Sequence, residues 1–130
     1  MSKVLITGGT GLIGSRLSSL LKAKGYEVII LTRNYNSKSS QDSFHWNIEE
    51  YSIDDSAFKN IDHILHLAGA GVADKRWSKK RKKEILTSRV VSTNLLYDTI
   101  KRLKIPLKSF IAASAIGYYG STSTDKIFIE

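Results

Sequence analysis

Cysteine is absent from this chain of 130 residues, which excludes disulfides, thiolate nucleophiles and cysteine-based metal sites. Histidine is scarce, and His45, His63 and His66 are too scattered to suggest a metal centre. Long apolar runs are missing as well. None approaches the roughly 18–20 residues that a membrane span requires, and Met1-Ser2-Lys3 leads straight into Val4-Leu5-Ile6 without the blocks of a signal peptide. The expected compartment is therefore the cytoplasm, with no membrane partner. Negative charge is also in short supply, 12 acidic residues against 20 basic ones, for a formal net charge of +8. Such an excess admits nucleic acid as a partner, so its distribution matters more than its sum. Much of it lies between Asp74 and Glu84, as Lys75, Arg76, Lys79, Lys80, Arg81, Lys82 and Lys83. A solvated helix face, a site for an anionic ligand and a nucleic-acid surface are the three readings of this run. Such runs usually face solvent, and Trp77 is its only aromatic residue, which argues against nucleic acid.

What is present suffices for one core: 42% hydrophobic and 25% charged residues fall in the ordinary globular range, and one domain over residues 1–130 is expected. Strand and helix patterns alternate along it, the mark of an α/β domain with a parallel sheet. Val4-Leu5-Ile6 reads as the first strand. Ile13, Leu17, Leu20 and Leu21 recur at helical spacing, with Gly25 as the stop signal. Val28-Ile29-Ile30-Leu31 is a continuous apolar run of the kind that a strand buried on both faces requires. The stretch from Asn34 to Ser43 reads as a surface loop, Phe44 to Ile48 as a weaker third strand, and Asp54 to Asn60 as a short helix. Ile64-Leu65-His66-Leu67 makes the fourth strand, ended by Ala68-Gly69-Ala70-Gly71. A long helix presents Leu86, Val90, Thr93, Tyr97 and Ile100 on its core face and closes before Pro106; Phe110-Ile111-Ala112-Ala113 is the fifth strand. The expected architecture is three-layered and doubly wound, with parallel strand order 3-2-1-4-5. Lys126 to Glu130 carry no terminating signal, so the chain reads as a domain cut short.

Between the first strand and the first helix stands Thr7-Gly8-Gly9-Thr10-Gly11-Leu12-Ile13-Gly14. In that context a glycine-rich repeat implies dinucleotide binding. Early glycines permit a tight turn, Gly11 lets the backbone approach a pyrophosphate, and Gly14 lets the helix pack on the strand, while helix amides meet the phosphates. A G-x-G-x-x-G reading from Gly9 and a G-x-x-G-x-x-G reading from Gly8 both fit; the bland alternative is a glycine-rich turn without a ligand. The second strand ends in Thr32-Arg33-Asn34, where NAD-selective domains carry a carboxylate for the ribose 2′-hydroxyl. Arg33 offers a guanidinium fork to a 2′-phosphate, so NADP is favoured, with NAD as the alternative. A solvated strand-end arginine is the competing reading of Arg33.

Thr7 to Gly14, Leu67-Ala68-Gly69 and Ser114 to Gly120 together resemble the extended short-chain dehydrogenase/reductases, the NAD-dependent epimerase/dehydratase family, whose nucleotide domain has the Rossmann fold. Ala73-Asp74-Lys75-Arg76-Trp77, Ser88-Arg89 and Ala115-Ile116-Gly117-Tyr118-Tyr119-Gly120 resemble, more narrowly, its atypical "epimerase family protein" branch. This resemblance implies that Thr32, Arg33, Leu67, Ala68, Glu84 and Arg89 line the cofactor site beside Gly8, Gly9, Thr10, Gly11, Leu12, Ile13 and Gly14, with Gly69 closing over the adenosine. For chemistry the family uses a Tyr and a Lys four apart on the helix after the fifth strand, assisted by a hydroxyl at that strand's end. The chain ends at Glu130 before such a helix, and Ala115 stands where typical members carry the serine, leaving Ser114 as the candidate hydroxyl. The literal Tyr97-x-x-x-Lys101 lies on the helix before the fifth strand, at the edge away from the cofactor, and is expected to be a coincidence of packing. Two functions compete: an NADP-dependent oxidoreductase or sugar-nucleotide-epimerase-like protein acting on a small molecule, and a dinucleotide-binding or redox-sensing module without chemistry. The residues identify neither the substrate nor the oligomeric state.

Overall fold

The computed structural model describes residues 1–35, 42–71 and 74–113. Six strands, β1 (Lys3–Thr7), β2 (Glu27–Thr32), β3 (Ser43–Asn47), β4 (Ser52–Ile53), β5 (His63–His66) and β6 (Ser109–Ala112), form one sheet in the order β4-β3-β2-β1-β5-β6. Two helices, α1 (Leu12–Ala23) and α2 (Lys79–Leu103), and a single 3-10 turn at Asp55–Phe58 complete the described elements. The five strands expected from the sequence pair in parallel in the expected order, β3-β2-β1-β5-β6. The sheet departs from expectation at one edge. There β4, only two residues long, pairs antiparallel with β3 after a reversal in which Tyr51 takes φ 51° and its N–H donates to the Ile48 carbonyl. Two residues cannot show an alternation, so the pattern along the chain gives no sign of this strand.

The central strands are apolar on both faces because both are covered. Val4, Ile6 and Val28 pack with Leu21 of α1 on one side, while Leu5, Ile29, Leu31 and Ile64 pack with Leu95 and Leu96 of α2 on the other. Successive side chains of a strand point to opposite faces, so β1 and β2 divide their residues between the two helical layers. Trp46 and Phe58 fill the second core beside β3. The helix ends follow local rules. After α1, Gly25 takes φ 88°, and Gly25 N–H and Tyr26 N–H donate to the carbonyls of Lys22 and Leu21, the paired bonds of a Schellman stop. Ser78 caps α2 by accepting from Arg81 N–H at 3.1 Å, and Lys104 ends it in the left-handed region. No helix among the described residues is long and apolar enough to cross a membrane.

The helix faces are where the expected stripes fail. In α1, Ile13 and Leu20 are exposed; the buried residues are Gly14 and Ser18, with Leu17 and Leu21 half-buried. Small residues let this helix lie close to the strands. In α2, Leu86, Val90, Thr93 and Tyr97 face solvent, Tyr97 with 60% of its surface exposed, and only Ile100 of the expected stripe is even half-buried. The buried line runs instead through Arg81, Ser92, Leu95, Leu96 and Thr99. Its hydroxyls are individually satisfied: Thr99 Oγ1 donates to the Leu95 carbonyl at 2.7 Å, Ser92 Oγ to the Arg89 carbonyl at 3.0 Å. A core face built partly of hydrogen-bonded hydroxyls is invisible to a count of apolar residues.

Candidate functional site at the carboxyl edge of the sheet

Strands β1, β2 and β5 all end at one edge of the sheet, and the turn after β1 forms its centre. Gly8 takes φ 71°, and a Cβ there would lie 2.9 Å from the Ala68 nitrogen at the end of β5. Only glycine meets both conditions. The turn closes when Gly11 N–H donates to the Gly8 carbonyl at 3.1 Å. A Cβ on Gly14 would stand 2.1 Å from that same carbonyl oxygen, and one on Gly11 3.3 Å from it. The positive φ belongs to Gly8 and not to Gly9, and the closest backbone contact to Gly14, which favours the G-x-x-G-x-x-G reading of the two the sequence left open. Gly9 has no positive φ and packs against the Ile30 side chain. α1 opens at Gly11 with no side-chain cap, so its first-turn amides carry the helix dipole's positive end without a side-chain acceptor.

Beneath the turn runs a buried chain of hydrogen bonds. Thr7 Oγ1 accepts from the backbone N–H groups of Leu67 and Ala68, each at 3.1 Å, and so donates its own proton to His66 Nδ1 at 2.6 Å. His66 then carries its proton on Nε2 and donates a hydrogen bond to Ser92 Oγ at 3.0 Å, and the Ser92 hydroxyl donates in turn to the Arg89 carbonyl. The imidazole is 5% exposed, and burial pushes its pKa below the usual histidine range. A neutral ring with a fixed tautomer therefore ties the ends of β1 and β5 to α2.

The segment after β5 is held from α2. Ala70 N–H donates to Ser88 Oγ at 3.0 Å, Arg89 donates to the Ala70 carbonyl at 3.1 Å, and Arg81 donates to the Gly71 carbonyl at 2.6 Å. Gly69 lies flat on the Arg89 guanidinium, where a Cβ would come within 3.0 Å of Cζ. Glu84 pairs with Arg81 at 3.0 Å.

These elements enclose a crevice of about 250 Å³ lined by Gly8, Thr10, Gly11, Thr32, Arg33, Leu67, Ala68 and Gly69, all singled out from the sequence. Gly9 and Gly14 lie buried under the turn, Leu12 and Ile13 are exposed at the head of α1, and Arg89 acts on the backbone beside the crevice. Sequence reasoning missed Trp46, Ile48, Ala70 and Ser88, which also line it. Ser88 stands in the Ser88-Arg89 pair, a signal that was at hand; Trp46 and Ile48 come from β3 and its exit, which carry no motif. A second cavity of about 800 Å³ adjoins the first, shares Arg33, Trp46, Ile48, Ala70 and Ser88 with it, and includes Glu84. Ser114 lies outside the described residues. Among the described residues no three His, Asp or Glu side chains gather as a metal site.

Residues 4–129 match the pattern of the NAD dependent epimerase/dehydratase family. An epimerase family protein of Mycobacterium leprae is 34% identical over 119 residues, covering 92% of this chain and 38% of its own length. One from Bacillus subtilis is 35% identical over 129 residues, covering 98% and 42%. The chain thus spans about two-fifths of these relatives. Among solved structures, the human epimerase family protein with NADPH superposes with a TM-score of 0.75 at 31% identity, over 92% of this chain and 39% of that one. A nucleoside-diphosphate sugar epimerase from Corynebacterium glutamicum gives 0.76 at 29%, over 98% and 25%. Glycine turn, parallel sheet and relatives agree, and the chain belongs to the NAD-dependent epimerase/dehydratase family.

Proposed function

We propose that this chain binds NADP at the carboxyl edge of its sheet, as the dinucleotide-binding part of an oxidoreductase or sugar-nucleotide-epimerase-like enzyme with a small-molecule substrate. The observation that carries the reading is the pairing of a Gly8-Gly11-Gly14 turn with Arg33 in a crevice that no carboxylate lines among the described residues. Gly11 leaves a cradle that a side chain would fill, and the uncapped amides of α1 supply donors for a pyrophosphate. Arg33 would take the 2′-phosphate through its planar fork, which a carboxylate at the strand end would repel. When bound, the nicotinamide supplies the hydride chemistry. Ser114, two positions past β6, is the hydroxyl we assign to assist a proton transfer.

The human relative solved with NADPH supports this cofactor. The test is fluorescence titration of NADPH and NADH against the wild type and Arg33→Asp. Wild type is expected to prefer NADPH and the variant to lose that preference by about tenfold or more, as befits a charge-assisted pair turned into a repulsion. An unchanged affinity ratio would refute the role given to Arg33.

A further inference from the structure

The imidazole of His66 is fixed at both of its nitrogens. Nδ1 accepts from Thr7 Oγ1 and Nε2 donates to Ser92 Oγ, while the rings of Trp46 on β3 and Phe110 on β6 each stand 6.3 Å from it. A turn away from Thr7 would therefore break the bond to Ser92 as well. Among the described residues, the charged and titratable groups of the surrounding elements are engaged elsewhere. On α2 the nearest along the chain are Arg89, whose guanidinium holds the Ala70 and Ile85 carbonyls, and Asp98, which accepts from Tyr51. On β5 His63 bonds Ser109, on β1 Lys3 pairs with Glu27, on β3 His45 lies against Tyr35, and β6 carries no such group. Burial is what disfavours the charged ring.

A second proton on this ring has a specific consequence at the crevice. A hydroxyl oxygen offers two acceptor sites and one donor. Thr7 Oγ1 accepts from Leu67 and Ala68 N–H and gives its proton to Nδ1. With Nδ1 protonated, two donors would face each other, and the Thr7 proton would have to swing towards one of the two amides. Leu67 N–H can fall back on the Thr7 carbonyl, to which it already donates at 3.2 Å, whereas Ala68 N–H is held by the hydroxyl. Leu67 and Ala68 both line the crevice, and the Ala68 nitrogen is the atom that a Cβ on Gly8 would meet at 2.9 Å. Any shift of Ala68 is thus passed to the glycine turn.

Resting on the reading that the crevice binds a dinucleotide, we propose that His66 is a positioning residue of that site, whose neutral ring holds Thr7, Leu67 and Ala68 in the binding geometry, so that cofactor binding and protonation of His66 oppose each other. His66 does not itself line the crevice and acts through Thr7. Linkage makes the effect reciprocal: acid weakens the hold on the cofactor, and the cofactor holds off the proton. The sign separates this from plain electrostatics, because a nearby anionic ligand would favour the charged ring instead.

The test follows the His66 imidazole by NMR in the full chain as pH is lowered, without ligand and with saturating NADP or NAD. Its titration midpoint is expected to fall by about one pH unit or more with either cofactor, which corresponds to about tenfold weaker binding by the protonated protein. A midpoint that stays or rises overturns the proposal. A companion measurement titrates NAD, which has no phosphate monoester ionising in this range, against wild type, His66→Gln and His63→Gln from about pH 8 to about pH 5. Wild type and His63→Gln are expected to lose affinity together on the acid side, by about threefold or more relative to His66→Gln. Parallel profiles for all three overturn the proposal. If His66→Gln fails to fold, the wild-type midpoint decides alone. Tight binding with an unshifted midpoint would remove only the role of His66, whereas failure of the wild type to bind either cofactor would overturn the crevice reading as well.

Discussion

Thr7 Oγ1 lies 2.6 Å from His66 Nδ1, and because that hydroxyl already accepts two backbone N–H groups, the proton between them belongs to the threonine. A protonated His66 would bring a second donor to an oxygen with no acceptor capacity left. The same contact therefore joins β1 to β5 and makes the joint sensitive to acid.

The sign follows from the direction of the shift. The folded-state pKa of His66 is lowered by burial, while in the unfolded chain it returns to about 6.5. Below about 6.5 the unfolded state binds more protons than the folded one, so stability rises with pH through that window. The contribution is complete above about 6.5 and is lost as pH falls towards the depressed folded value. Urea unfolding between pH 5 and 8 should show a steeper acid decline in the wild type than in His66→Gln, which keeps the other histidines but cannot titrate there. Parallel profiles would remove the role assigned to protonation.

Tyr97 and Lys101 give the second prediction. The amino-terminal half of α2 holds the loop beside the crevice through Arg81, Ser88 and Arg89, so the helix runs away from the site, and its end leads to β6, whose Ser109 pairs with His63 at the start of β5. Tyr97 is thus carried towards the amino edge of the sheet, exposed to solvent. Tyr97→Phe is expected to leave NADPH affinity unchanged and stability within about 0.5 kcal/mol, the usual range for a surface position. A variant with lost binding would restore the pair to the site.

How much of this could be read from the chain depends on what kind of signal each element carries. The parallel strands announce themselves because Val28 to Leu31 are apolar on both faces, a consequence of burial between two helical layers. The face of α2 does not, because Ser92 and Thr99 are buried with local partners while Leu86 and Tyr97 are left outside. Glycine spacing locates the crevice, yet leaves Gly8 and Gly9 equivalent until a positive φ distinguishes them. The tie through His66 rests on contacts 26 and 59 residues apart in sequence, and no spacing rule reaches that far.

Gly11 and Gly14 look alike in the motif but should fail differently. A Cβ at Gly14 would meet only backbone: the Gly8 carbonyl oxygen at 2.1 Å, its carbon at 2.8 Å and the Gly9 Cα at 2.8 Å. Backbone of a closed turn cannot move aside, so Gly14→Ala must push α1 off β1 or open the turn, at about 3 kcal/mol or more, beyond ordinary overpacking. At Gly11 the backbone is extended, with φ −75° and ψ 178°, which alanine adopts freely, and the added methyl meets only the Gly8 oxygen at 3.3 Å. Gly11→Ala should therefore stay within about 1 kcal/mol of the wild type in urea unfolding. Its methyl, however, enters a crevice that Gly11 lines, where close approach of a pyrophosphate needs bare backbone. The expected outcome is a folded protein with NADPH affinity reduced about tenfold or more, beside a Gly14→Ala protein that is unstable before binding is asked. Normal NADPH binding by a well-folded Gly11→Ala would mean that the phosphates do not pass over this turn.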